Sequence, residues 1–267
     1  MLKDITIGQF FPGNSLIHRL DPRFKIVITF IFIIMLFVGS SPLGLLLGGI
    51  FTVYAITVSR IKLKLFVKSI KPIMPFLIIT AILNLFFISD GDVYFKWRFF
   101  KITSGGIETS IFMIVRIVFL IAGTSLLTYT TSPIALTDAI ERLLSPLKKV
   151  TFPVHELAMM MTIALRFIPT LIEETDKIMS AQKARGAEID SGSLMARAKN
   201  VVSILIPLFI SSFRRAEELA TAMECRCYNG GEGRTRLRQL KSNRTDYAAL
   251  AVTLIFLAAV IAINIIF

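Results

Sequence analysis

Residues 26–59 read IVITFIFIIMLFVGSSPLGLLLGGIFTVYAITVS, a run of 34 residues between Lys25 and Arg60 without one Asp, Glu, Lys, Arg or His. A helix needs roughly 20 predominantly apolar residues to cross about 30 Å of hydrocarbon, so the run is too long for one ordinary span. Gly39-Ser40-Ser41-Pro42 breaks it near the middle, since proline cannot continue a helix and glycine tolerates the turn. Two short spans joined by a tight hairpin are expected. Further apolar stretches follow at Ile73–Ser89, Ile107–Tyr129 and Tyr247–Phe267. A helix satisfies its own backbone groups inside lipid. The expected fold is therefore an all-α polytopic membrane protein with about five transmembrane helices and a cytoplasmic or interfacial set of amphipathic coupling helices.

Composition agrees. The chain is 54% hydrophobic with a mean hydropathy of +0.71, above the roughly 45–50% apolar content of a soluble domain. Its net charge of +12 flanks the apolar spans, which is the pattern of topology signals and anionic-lipid contact rather than nucleic-acid binding. Two cysteines, Cys225 and Cys227, supply no disulfide framework and fit a reducing compartment. The first apolar run follows a polar segment and precedes no small-residue cleavage pattern, so no removable signal peptide is expected.

Bases near the span ends set the orientation. Lys3, Arg19, Arg23 and Lys25 precede the first span, and Arg60, Lys62, Lys64, Lys68 and Lys71 follow the second. The first hairpin turn and the C-terminus carry none. Asp90–Gly106, with charges of both signs, aromatics and Gly105-Gly106, reads as a loop. The N-terminus and segment 130–246 are then expected in the cytoplasm of a bacterial or archaeal cell, with the C-terminus outside. The chain divides accordingly into 1–129 (N-terminal segment and four spans), 130–246 (coupling helices) and 247–267 (last span).

Segment 130–246 is amphipathic rather than spanning. Ser132-Pro133 reads as an N-cap followed by proline at the first helical position. Pro153 opens a second helix, which Pro169 kinks or restarts, and which runs on to about Arg185. After Ser191-Gly192-Ser193 a last stretch runs from Leu194 to Tyr228, kinked near Pro207. Its apolar run Val201–Phe213 is too short to span, and it lies in the interface or against other helices. The bases Arg234, Arg236, Arg238, Lys241 and Arg244 read as a lipid-headgroup anchor.

Two helices in this segment end in an arginine between small residues, Ala184-Arg185-Gly186 and Cys225-Arg226-Cys227, 41 residues apart. Both have an alanine four residues ahead of the arginine, and Glu173-Glu174 and Glu217-Glu218 lie upstream. A cation at a helix C-terminus offsets the dipole by roughly 0.3–1 kcal/mol, and small neighbours let such an end enter a narrow groove. Ordinary C-capping explains the same residues, with Gly186 as terminator.

The paired triplets resemble the two Ala-Arg-Gly-type motifs of the transmembrane T component of energy-coupling factor (ECF) ABC importers. Gly8-Gln9-Phe10, Pro12 and Ser15-Leu16-Ile17-His18-Arg19-Leu20-Asp21-Pro22-Arg23-Phe24-Lys25 resemble that family's opening stretch. The resemblance implies a non-catalytic subunit that couples two cytoplasmic ABC-type ATPases, through Arg185 and Arg226, to an integral-membrane S component that binds a vitamin or metal ion. The chain itself then binds no cofactor, and ATP and Mg belong to the partner ATPases. The cysteines flanking Arg226 depart from the family's Ala and Gly or Ser.

Arg116 lies within the fourth span, where a charge costs roughly 2.5–3.5 kcal/mol and usually faces protein or water. It has two readings, a contact with a partner subunit or an internal anchor, and a snorkelling side chain on a tilted helix. Met159, Met160 and Met161 form either an adaptable partner surface or plain helix packing. Cys225 and Cys227, two residues apart on a helix, diverge too far to share one metal ion. There is no Gly-x-x-x-x-Gly-Lys-Ser/Thr loop, Gly-x-Ser-x-Gly elbow or His-Glu-x-x-His pair. A self-sufficient secondary transporter would show repeated spans, broken helices and membrane-embedded acids, whereas the repeat here lies in the cytoplasmic segment. A membrane scaffold without transport satisfies the same sequence.

Overall fold

The computed structural model describes residues 10–88, 92–97, 100–146, 153–186, 194–230 and 240–266. The chain divides into two compact units, Gly8–Ala139 with Leu240–Phe267, and Ile140–Gln239 with Met1–Ile7.

In the first unit several helices begin on a residue whose side chain caps them. The short α1 (Leu16–Arg19) and the 17-residue α2 (Pro22–Val38) start on Ser15 and Asp21, whose side chains accept the His18 and Arg23 backbone N–H groups. Ser41 caps α3 (Pro42–Ser59) in the same way, through Gly44 N–H at 3.2 Å, so Gly39–Pro42 forms the expected hairpin turn. A helix α4 (Leu63–Ile70) runs through one 3₁₀ turn, Lys71–Ile73, into α5 (Met74–Phe87), and neither α4 nor α5 has a side-chain cap. The long α6 (Ser104–Thr130), which is capped by a side chain, and α10 (Arg244–Ile266) complete the bundle.

Asp90–Gly106, expected as a loop, instead contains an antiparallel hairpin, β1 (Val93–Trp97) paired with β2 (Phe100–Thr103). Its aromatic and β-branched residues favour strands, and locally they outweigh the charges and the Gly105-Gly106 pair on which the loop expectation rests.

The core is an aromatic and aliphatic seam of α2, α3, α6 and α10, centred on Phe32, Met35, Leu36, Leu45, Phe51 and Val260. Phe51 lies 5.7 Å from Phe32 and 5.4 Å from Phe256, ring centre to ring centre. Glycines bring the helices together: a Cβ on Gly123 would stand 2.2 Å from Phe32 Cε1, and one on Gly49 2.6 Å from Phe119 Cζ. Such small residues permit close helix approach where lipid leaves packing as the main attraction. Outward-facing side chains are also apolar, Phe30, Phe37, Phe76 and Ile255 among them, as a lipid-solvated surface requires.

Among the described residues, five helical stretches are long and apolar enough to cross a membrane: α3, Leu63–Phe87, α6, Val154–Ala184 and α10. The sequence reading also reaches five but differs in membership. It counts α2, which is one residue shorter than α3, and assigns residues 154–184 to the coupling region.

In the other unit, α8 (Val154–Ala184) and α9 (Leu194–Glu224) are each 31 residues long. The twelve-residue α7 (Pro133–Leu144) precedes them in the chain and begins on Ser132, whose Oγ accepts the Ala135 N–H. Pro169 lies inside an uninterrupted α8 and does not restart it.

Candidate functional site

Polar contacts join helices α8 and α9. Arg215 Nη2 donates to Glu174 Oε2 at 2.8 Å, and Gln182 Nε2 donates to the Ser203 carbonyl at 3.3 Å. Numbers rise along one helix as they fall along the other, so the pair is antiparallel.

The second contact has a specific cause. Proline has no N–H, so a proline inside a helix orphans the carbonyl four residues earlier. For Pro207 that carbonyl is Ser203, and Gln182 supplies the missing donor from the neighbouring helix.

The two arginine tips end their helices with the same geometry. Arg185 is the C-cap of α8, its N–H bonded to the Ala181 and Gln182 carbonyls, and Gly186 follows at φ +85° with its N–H on the Lys183 carbonyl at 3.0 Å. In α9, Arg226 precedes Cys227 at φ +54°, whose N–H bonds the Glu224 carbonyl at 2.8 Å, while Tyr228 N–H bonds the Met223 carbonyl at 3.0 Å. That pair of bonds is the Schellman arrangement, and Gly186 repeats its inner bond.

Ala184, Arg185, Gly186, Cys225, Arg226 and Cys227 are all exposed. Neither arginine pairs with a carboxylate among the described residues. A Cβ built on Gly186 meets nothing within 4 Å, so that tip is open.

Arg185 lies eleven residues beyond Glu174, and Arg226 eleven beyond Arg215, with no proline in either arm. At 1.5 Å per residue each arm is about 16 Å long, which separates the tips by about 33 Å along the antiparallel pair. The structure thus places the two triplets at opposite ends of one strut and does not bring them together. Cys225 and Cys227 are free thiols beyond the last helical residue. No cluster of three metal-ligating side chains occurs among the described residues.

Along one side of α9 stand Val202, Leu205, Ile206, Phe209 and Phe213, all exposed. This is the short apolar run read from the sequence, left without cover by the chain. Met160 is 60% exposed, whereas Met159 and Met161 are half-buried. His155 faces Glu141 at 3.2 Å.

Arg116 serves its own chain. Its Nη2 donates to the Gly39 carbonyl at 2.9 Å, and the guanidinium lies 4.6 Å from the Phe112 ring centre and 5.9 Å from Phe37. It thereby holds α6 to the end of α2.

Lys25, read from the sequence as a topology charge, and Asp246, which that reading did not single out, are both buried and hydrogen-bonded. Lys25 Nζ donates to the carbonyls of His18 and Thr130 and to Thr131 Oγ1. Asp246 accepts the backbone N–H of Asp21 at 2.8 Å and of Asn243 at 2.6 Å. The second bond is the side-chain-to-N-cap half of a capping box at the start of α10, and the first fastens α2 to α10. Asn243-x-x-Asp246 is visible in sequence, but its bond to Asp21, 225 residues away, is not. The cross-helix partners of Glu174 and Gln182 are likewise invisible in the sequence, where only Pro207 signals that a donor is needed. The proposed lipid-anchor residues Arg234, Arg236 and Arg238, and the Ser191-Gly192-Ser193 break, lie outside the described residues.

The family model described as cobalt transport protein matches residues 13–237. Proteins named energy-coupling factor transporter transmembrane protein EcfT are similar over nearly the whole chain. That of Ruminiclostridium cellulolyticum is 54% identical over 267 residues, covering all of both chains. That of Clostridium kluyveri is 56% identical over 256 residues, covering 96% of this chain and 95% of its own. That of Bacillus subtilis is 47% identical over 261 residues, covering 98% of each. Together with the apolar helical bundle, this makes the chain a multi-pass membrane component, and it belongs to the family of EcfT transmembrane proteins of energy-coupling factor transporters.

Proposed function

We propose that this chain is the non-catalytic coupling subunit of its transporter. Arg185 and Arg226 dock at two cytoplasmic ABC-type ATPases, and the exposed face of α9 holds a membrane-embedded S component that selects a vitamin or metal ion. ATP and Mg bind to the ATPases, and this chain has no phosphate loop to bind them. The observation that carries the reading is the matched pair of tips: two exposed arginines, each at a C-cap directly before a left-handed residue, facing opposite ways on one strut.

Each tip suits a groove. The last turn of a helix exposes unpaired carbonyls, the arginine fork reaches carboxylates or carbonyls bidentately, and small flanking residues allow close approach. An amphipathic helix lying in an apolar groove is a familiar recognition mode, and the α9 face meets that description. Motion of the two ATPases during hydrolysis displaces the tips. The Glu174–Arg215 and Gln182–Ser203 contacts then make α8 and α9 turn as one body, which reorients whatever rests on α9.

An Arg185→Glu, Arg226→Glu double variant is expected to insert normally, to lose ATPase co-purification by at least tenfold and to lose uptake. Normal uptake with normal co-purification would refute the proposal.

A further inference from the structure

Within the first unit lies a cavity of about 540 Å³ whose chemistry changes along its length. Ile28, Phe32, Phe51, Leu126, Ala249 and Val252 form most of its walls, interspersed with Thr29, Thr52 and Thr253, whose hydroxyls donate to carbonyls of their own helices. Arg19, Lys25, Asn243 and Thr245 also line it. The gradient follows the helices. Lys25 and Phe32 are seven residues apart on α2, as are Thr245 and Val252 on α10, so the polar end and the apolar depth are separated by about 10 Å of helix.

From this geometry we infer that the cavity is a binding site for an anionic phospholipid, with an acyl chain in the slot and the phosphate at its mouth. Water is a poor occupant of the slot, because a buried water needs two to four polar partners and the wall threonines Thr29, Thr52 and Thr253 already donate their hydroxyls to their own helices. An extended peptide segment would leave its own backbone N–H and C=O groups unpaired there. A hydrocarbon chain has no such demand. Tyr54 and Leu16, at 56% and 66% exposure, line the cavity from the outer surface and leave a side open to lipid.

The mouth specifies charge. Arg19 is exposed, and Thr245 and Asn243 add a hydroxyl and an amide. The Lys25 ammonium beneath them bonds to two carbonyls and a hydroxyl, with no carboxylate among those partners. Asp246 and Asp21 lie within electrostatic reach of that buried ammonium, so the cation that a phosphate at this mouth meets is the exposed Arg19. A lipid seated here touches α2, α3, α6 and α10 at once and stiffens the bundle.

The test is native mass spectrometry of the full chain, purified in mild detergent, stripped of lipid and titrated with dioleoyl phosphatidylglycerol or dioleoyl phosphatidylcholine. One phosphatidylglycerol is expected to be retained per chain, at least tenfold more strongly than phosphatidylcholine. Ala249→Phe on α10 and Ala55→Phe on α3, each adding bulk at a residue that lines the slot, should abolish retention of both lipids. Arg19→Gln should keep acyl binding and reduce the preference to less than threefold. Absence of a stoichiometric lipid on the unmodified chain, or equal retention of the two lipids, overturns the site. So does wild-type retention by both phenylalanine variants. The unmodified chain and Arg19→Gln decide the matter even if both phenylalanine variants fail to fold.

Discussion

At the scale of single residues, Cys227 shows most clearly how local backbone chemistry shapes the tips. It occupies the left-handed position that Gly186 fills in the other tip, at φ +54°. A side chain there costs roughly 1–2 kcal/mol relative to the right-handed region, and glycine avoids that cost. Cys227→Gly should therefore firm the end of α9 by about 1 kcal/mol, read as roughly fivefold slower amide exchange at residues 225–228 with uptake retained. Unchanged or faster exchange would show that Cys227 is not strained. The equivalence of Arg185 and Arg226 was legible in the sequence, because C-capping depends on near neighbours. The equivalence of Gly186 and Cys227 was not, because cysteine gives no hint of a positive φ. Arg116 marks the same limit. Its place in a span was legible, but its acceptor is the Gly39 carbonyl, 77 residues away, and a backbone carbonyl leaves no mark in a sequence.

Among elements, α8 and α9 form a strut because each supplies what the other lacks. Removing the Gln182 amide leaves the Ser203 carbonyl without its donor, at a cost of roughly 1–3 kcal/mol for a buried unsatisfied group, and less for this half-buried one. In a Pro207→Ala background the helix regains its own N–H at position 207, so Gln182→Leu should lose most of its effect. A double-mutant cycle measured by denaturant unfolding checks this, and equal costs in both backgrounds would refute the assignment. Glu174 and Arg215 are partly exposed, and such a pair contributes about 0–1 kcal/mol. Its loss should affect coupling more than stability. Glu174→Arg alone is expected to allow ATP hydrolysis with reduced uptake, and the swapped pair Glu174→Arg, Arg215→Glu to recover uptake. Failure of the swap to recover it would remove the pair from the mechanism. The helices themselves were legible from their apolar periodicity and prolines, but their antiparallel register was not. The paired residues lie 21 and 41 positions apart, and no sequence pattern links them.

For the whole molecule, the coupling proposal rests on which side of the membrane the α8–α9 unit occupies. The bases flanking residues 26–59 argue for the cytoplasm, and family membership is consistent with this without fixing it. The chain carries its own reporter. Cys225 and Cys227 are its only cysteines, and both are exposed and unbridged beside Arg226. A membrane-impermeant maleimide should therefore leave them unlabelled in intact cells and label them readily in inside-out vesicles stripped of peripheral subunits. Re-addition of the ATPases should slow labelling by at least tenfold if the tip is enclosed in a groove, and Arg226→Glu should abolish that protection while leaving bare labelling unchanged. Labelling from outside intact cells would place the tips where no ATPase can reach them and remove the basis for coupling. Cytoplasmic labelling that the ATPases do not slow would keep the orientation but reject Arg226 as a docking tip. The two requirements, the right side of the membrane and an enclosed tip, are thus tested separately at one pair of thiols.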